Sequence, residues 1–236
     1  MSIKVVLFDL DGTLLPMDQD IFVKYYFGML ANRLAPLGYE KESLIGSIWA
    51  GTAAMVKNTG EKSNEEVFWD TFAKLQGEHT RAHVPEFEAF YREEFCKVKA
   101  SSGYDPEASW AVREIKAIGL RVALATNPIF PAIATRQRIE WAGLSTEDFE
   151  LYTTYENSCH CKPDLDYYRD VVAALGVRPD ECLMVGNDVG EDMIAKELGI
   201  EVFLIPKCLI NKESKDISVY PQGGFADLVK FIKEKI

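Results

Sequence analysis

From Gly119 to Ile205 the chain alternates short apolar runs with stretches of helical periodicity, and this rhythm narrows the possible folds more than any other feature. Leu120–Ala125, Leu151–Thr154, Cys182–Val185 and Val202–Ile205 read as strands. Pro131–Trp141, Leu165–Leu175 and Glu191–Leu198 read as helices, the last two closed by Gly176 and Gly199, residues that tolerate a left-handed conformation. A strand can return parallel to its predecessor only through a crossover, so repeated strand–helix units imply a parallel sheet with helices on both faces. The earlier run Ile3–Phe8 is apolar and partly β-branched, as expected of a strand buried on both sides. The fold class is therefore α/β.

Between that first run and Gly119 lies a long stretch with no clear strand. Ile21, Tyr25, Met29 and Leu30 recur at helical spacing. Ser63-Asn64-Glu65-Glu66 has the form of a capping box, opening a helix expected to bury Val67, Phe68, Phe72 and Leu75. Pro85 suits the first turn of another helix, which carries Phe87, Phe90 and Tyr91. Residues 16–100 are thus expected to form an all-helical insertion, with residues 1–15 and 101–236 making up the sheet-bearing core. Asn211–Ser218 reads as a surface loop before a last helix, Phe225–Lys235.

A formal charge of −11 over 236 residues argues against general affinity for nucleic acid or anionic membranes, both of which need a basic surface. No apolar stretch is long enough to span a bilayer. The chain enters its first strand at once, without the pattern of a signal peptide, and its five scattered cysteines do not form a disulfide framework. A cytoplasmic monomer or homodimer is expected.

Asp9 and Asp11 stand where the first apolar run ends, followed by Gly12-Thr13-Leu14. In open α/β sheets, ligands gather at the carboxyl ends of the strands. Two carboxylates placed there repel each other unless a cation or a shared proton keeps both in place. A hard metal ion, Mg2+ first among them, resolves this and leaves coordination positions for a phosphate. Other strand ends supply matching groups. Thr126-Asn127 offers a hydroxyl and amides for a phosphate oxygen. Lys162-Pro163 offers a cation that neutralises phosphate and keeps a nucleophilic carboxylate charged. Gly186-Asn187-Asp188-Val189-Gly190-Glu191-Asp192 offers further oxygen ligands.

In order and spacing these segments resemble the four motifs of the haloacid dehalogenase superfamily: Asp9-Leu10-Asp11-Gly12-Thr13-Leu14, then Thr126-Asn127, Lys162-Pro163 and Asp188–Asp192. The resemblance implies a Rossmann-like core with a helical cap domain inserted after the first motif. It also implies a Mg2+-dependent phosphohydrolase acting on a small phosphorylated metabolite. Asp9 would attack phosphorus, and Asp11 would protonate the leaving alcohol and then deprotonate water. Thr126, Asn127 and Lys162 would bind the transferring group. Asp9, Asp11 (through its backbone carbonyl), Asp188 and Asp192 are the implied metal set. This chain reads Gly186-Asn187-Asp188 where the family commonly has Gly-Asp, so either Asp188 or the Asn187 amide fills the metal position. A full charge binds Mg2+ better, which favours Asp188, with Asp192 as a second ligand or outer partner.

Each signal also has a plainer reading. Asp-x-Asp-Gly and Thr126-Asn127-Pro128 could be turns, and Lys162 a solvated loop lysine. Cys159-His160-Cys161 falls short of a zinc site, having three adjacent candidates and no partner pair. Glu78–His83 reads first as a solvated connection between helices, and some of Phe22, Tyr25, Tyr26 and Trp49 are expected to line the entrance. Among rival functions, dehalogenation leaves Asp11 without work, since halide departs unprotonated. A phosphomutase would share the same core residues, and a non-catalytic binding protein on this fold is the rival from another class.

Overall fold

The structure, a computed structural model, describes residues 2–236. Four parallel strands form its sheet: β1 (Val5–Phe8), β2 (Arg121–Leu124), β3 (Cys182–Gly186) and β4 (Glu201–Leu204), in the order β2-β1-β3-β4. All but the first residues of β2 and β4 are buried, as continuous apolar runs between two helical layers must be. The side-chain period of two divides the sheet into two cores. Val6, Phe8, Leu124 and Val185 face one side, and Val5, Leu7, Ala123 and Met184 face the other. The first core includes α5 (Pro106–Ala117), α6 (Ala132–Trp141) and α8 (Phe225–Lys235). The second is closed by α7 (Leu165–Ala174) and the 3-10 segment Met193–Leu198.

From Gln19 to Ser101 every element is helical. The α-helices are α1 (Gln19–Leu34), α2 (Lys41–Val56), α3 (Asn64–Gln76) and α4 (Val84–Glu93), and the 3-10 segment Phe95–Ser101 ends the series. The capping box at Ser63 forms in full: the hydroxyl accepts from Glu66 N, and the Glu66 carboxylate accepts from Ser63 N. Among the described residues, no helix is long and apolar enough to cross a membrane.

The structure departs from the sequence reading in four places. Leu151–Thr154 makes a single parallel bridge, Leu124 to Tyr152, and is not a full strand. Beyond it Thr154 N turns to Asn157 Oδ1 and Tyr155 N to the Phe130 carbonyl, so the ladder stops. Glu191–Leu198 is a 3-10 segment over Met193–Leu198, with amides reaching back three residues, as Ala195 N does to the Asp192 carbonyl and Gly199 N to that of Lys196. In α1 the inward stripe is Phe22, Tyr26 and Leu30, whereas Ile21 and Tyr25 are half-exposed, a shift of one residue around the helix. In α3, Trp69, Phe72 and Ala73 are buried and Leu75 faces solvent.

Candidate active site

Strand order brings the motifs together. Since β1 lies between β2 and β3, the residues that follow these three strands emerge side by side at one edge. Asp9 N donates to the Val185 carbonyl and Ala125 N to the Phe8 carbonyl, which carries the parallel register past the strand ends. A cavity of about 140 Å3 opens there, lined by Asp9, Asp11, Thr126, Asn127, Asp188 and Asp192 among others.

Asp9 is buried. Its Oδ1 accepts from Lys162 Nζ at 3.0 Å and its Oδ2 from Thr13 Oγ1 at 3.2 Å. The Lys162 ammonium also donates to Asp192 Oδ1 at 2.6 Å, so it lies behind the two carboxylates and not on the cavity wall. Burial works to lower its pKa, but Asp192 and Asp9 override this and hold it well above the usual lysine range. Two of its three protons are committed to these carboxylates. Thr126 is buried with its hydroxyl free of hydrogen bonds among the described residues, while its carbonyl accepts from Thr153 Oγ1 and the Tyr167 hydroxyl. Asn127 Nδ2 donates to Glu191 Oε2 at 2.9 Å, and its Oδ1 is buried without a partner.

The acidic loop divides its work. Both Asp192 oxygens are engaged, Oδ1 by Lys162 and Oδ2 by the Asp188 N–H at 2.9 Å. Burial pushes the Asp192 carboxyl up to about 7, against the pull of Lys162. Asn187 faces the first motif: its Oδ1 lies 2.9 Å from Thr13 Oγ1 and competes with Asp9 Oδ2 for that hydroxyl's single proton, and its Nδ2 donates to the Cys208 carbonyl. Gly12 completes this contact. At φ +91° it suits glycine, and a Cβ there would lie 2.3 Å from Asn187 Nδ2. Asp188 spends only Oδ1, on Gly190 N and Glu191 N; its other oxygen accepts no hydrogen bond among the described residues. Among the described residues no three His, Cys, Asp or Glu side chains converge on one point; the Asp11 carboxylate is turned to an arginine, and Asp192 is held by Lys162 and the Asp188 amide. Asp9 and Asp188 keep oxygens facing the cavity, a donor chemistry that suits a hard divalent ion.

That arginine, Arg138 on α6, was not picked out from the sequence. Its side chain is fully buried. Nη1 donates to Asp11 Oδ2, Nη2 to Thr135 Oγ1, and the guanidinium lies 4.3 Å from the Phe130 ring centroid. Burial pushes the Asp11 carboxyl above its ordinary range, Arg138 opposes the shift and Asp9 adds to it. Asp11 Oδ1 is buried and unpartnered. Sequence held a clue: Arg138 falls on the same helix face as Ala134 and Trp141, which are buried, so its charge needed a partner.

Other candidates lie elsewhere. Cys161 is buried and its thiol accepts from Asn64 Nδ2, His160 pairs with Asp170 at 2.7 Å, and Arg81 binds Glu78 and Asp70. Neither segment lines the cavity. Phe22, Tyr26 and Trp49 line a second cavity beside the first, and Tyr25 does not.

A family model described as haloacid dehalogenase-like hydrolase matches residues 3–199. Pyrophosphatase PpaX of Bacillus cereus strain G9842 is 26% identical over 192 residues, covering 80% of this chain and 76% of that protein. Among solved structures, an HAD phosphatase from Thermococcus onnurineus superposes with a TM-score of 0.59 at 18% identity, over 98% of both chains. An L-2-haloacid dehalogenase from Xanthobacter autotrophicus does so with a TM-score of 0.56 at 17% identity, over 99% of this chain and 100% of its own. At such identities the two structures speak for the fold alone, and they carry different chemistries on it.

Proposed function

Since this chain belongs to the haloacid dehalogenase-like hydrolases, we propose that it is a Mg2+-dependent phosphatase of small phosphorylated metabolites working through an aspartyl-phosphate on Asp9. The observation that carries the reading is the arrangement around Asp9: a charged lysine behind it, and the free hydroxyl of Thr126 and the free oxygen of Asp188 beside it at one cavity.

Asp9, the Asp11 backbone carbonyl and Asp188 would hold Mg2+. When bound, the ion offsets the charge of the phosphate and the repulsion among the carboxylates. Lys162, kept protonated, donates to Asp9 Oδ1 and aims the carboxylate. One Asp9 oxygen attacks phosphorus and the bond to the alcohol oxygen breaks. Asp11 gives its proton to the departing oxygen from Oδ1, the atom that Arg138 leaves free. It then takes a proton from the water that attacks the aspartyl-phosphate, which releases phosphate and restores Asp9. Thr126 donates to a phosphate oxygen, and the Lys162 charge, acting from behind Asp9, offsets the negative charge gathered at the site. Asp192 acts through Lys162 and the Asp188 backbone, and Asn187 by bracing Thr13 and Gly12. The helical insertion, read as a cap over residues 16–100, excludes water and selects the alcohol. Asp11 also separates this chemistry from dehalogenation, where a halide needs no proton.

The test is phosphate release from a panel of phosphate esters and inorganic pyrophosphate, with and without Mg2+. The pyrophosphate arm follows from the likeness to the Bacillus cereus pyrophosphatase. Turnover is expected only with the metal, and Asp9→Asn is expected to abolish it. An Asp9→Asn protein with wild-type rates would end the assignment.

A further inference from the structure

Asp11, Gln19 and Ile129 belong to the walls of two cavities, the one at the strand ends and a second of about 220 Å3 that runs between the helical insertion and the core. The wall of the second is aromatic, with Phe22, Tyr26, Trp49, Trp69 and Phe130 facing it. Among the described residues no lysine, arginine or histidine lines it. Its two charged residues are acids that already answer to arginines: Asp11 to Arg138, and Glu88, at the rim, to Arg92 at 3.2 Å. The Tyr26 and Tyr91 hydroxyls satisfy each other at 2.7 Å, which removes two more polar handles.

A leaving group has to occupy the side of Asp11 away from the attacking carboxylate, because Asp11 hands it the proton. On this chain that side is the aromatic cavity. An anionic leaving group such as phosphate or glycolate would be moved into a low-polarity space with no cation to meet it, at a heavy desolvation cost. A quaternary ammonium would find aromatic faces but no unpaired acid. An uncharged, mainly apolar group replaces water against a wall that is mostly carbon, the uncharged polar groups of Gln19, Thr52, Tyr155 and the Trp69 indole N–H being the exceptions.

We propose that this cavity receives the leaving group, and that the preferred substrates are phosphate monoesters of uncharged apolar alcohols, aromatic ones included. The inference rests on the phosphatase reading above and narrows it.

Five substrates, assayed with Mg2+ for released phosphate, decide it: 2-phenylethyl phosphate, ethyl phosphate, phosphoglycolate, phosphocholine and pyrophosphate. The two simple esters release alcohols of similar acidity, so their ratio reports the pocket. We expect kcat/KM for 2-phenylethyl phosphate to exceed that for ethyl phosphate, and for each charged compound, by at least tenfold. Trp49→Ala should cut the phenylethyl-to-ethyl ratio at least threefold; half of Trp49 is exposed, so the fold should tolerate its truncation. Active protein with a ratio near one, or with phosphoglycolate, phosphocholine or pyrophosphate as the better substrate, overturns this inference and leaves the phosphatase reading standing. No release from any of the five overturns the phosphatase reading and this inference with it.

Discussion

Asp11 has to give a proton and take it back, and its neighbour Arg138 sets the terms. Burial raises the carboxyl's pKa and the guanidinium pulls it down. Acting first as an acid, Asp11 must be protonated in the free enzyme, so kcat/KM falls as pH rises through its pKa. Replacing Arg138 with Gln removes the downward pull and should move that alkaline limb to higher pH, while Arg138→Lys moves it less. The same change leaves Asp11 without its partner, and loss of stability of about 3 kcal/mol is expected, at the low end for a broken buried pair because Asp11 is partly exposed. A pH–rate profile and a denaturant titration measure the two effects. A second prediction concerns the acidic loop. Asp188 has the free oxygen and Asn187 has none, so Asp188→Ala should raise the Mg2+ concentration for half-maximal activity by roughly tenfold or more, by loss of a charged ligand. Asn187→Ala should chiefly lower stability. A strong rise in the Mg2+ requirement for Asn187→Ala alone would reverse the assignment.

At the level of elements, helix ends and strand ends do different work. The α3 start is secured locally, by Ser63 and Glu66 exchanging hydrogen bonds across three residues. Ser63→Ala should therefore cost about 1 kcal/mol of stability in thermal or denaturant unfolding, with phosphate release per folded molecule unchanged. The strand ends are secured by distance. At β3, a Cβ on Gly186 would lie 2.1 Å from Asp192 Oδ2, so glycine there is what lets Asp192 reach Lys162. Element type was largely legible from periodicity, but the buried stripe was not. Ile21 and Tyr25 are as apolar as Phe22 and Tyr26, and only the neighbours of α1 decide which pair turns inward. The 3-10 form of Met193–Leu198 was hidden as well, since the spacing of apolar residues does not say whether an amide reaches back three residues or four.

For the molecule as a whole, the helical insertion is tied to the core through the first turn of α3. Asn64 N donates to the Ser158 carbonyl and Glu65 N to the Tyr155 carbonyl. The Asn64 side-chain amide lies 3.3 Å from each of the Pro128 carbonyl, the His160 carbonyl and Cys161 Sγ, so two protons serve three acceptors in a fully buried place. These contacts tie the start of α3 to the loops that follow β2. Asn64→Ala should speed hydrogen exchange at the Glu65 amide by about tenfold, the local equivalent of one lost buried hydrogen bond. Unchanged exchange there would show that the insertion is held elsewhere.

By itself the sequence determined the class of fold and the groups with reactive potential. A buried strand, a capping box and a carboxylate after a strand are written in residues that are neighbours along the chain. Tertiary structure decided which of those groups meet and which are already occupied. Arg138 finds Asp11 across 127 positions and Thr13 finds Asn187 across 174. Neither pairing follows from spacing, because both depend on β1 lying between β2 and β3 and on which helix face each strand accepts. The aromatic cavity beside Asp11 has the same origin. Its wall comes from four helices and three loop segments that share no local pattern, and only their packing makes them a surface.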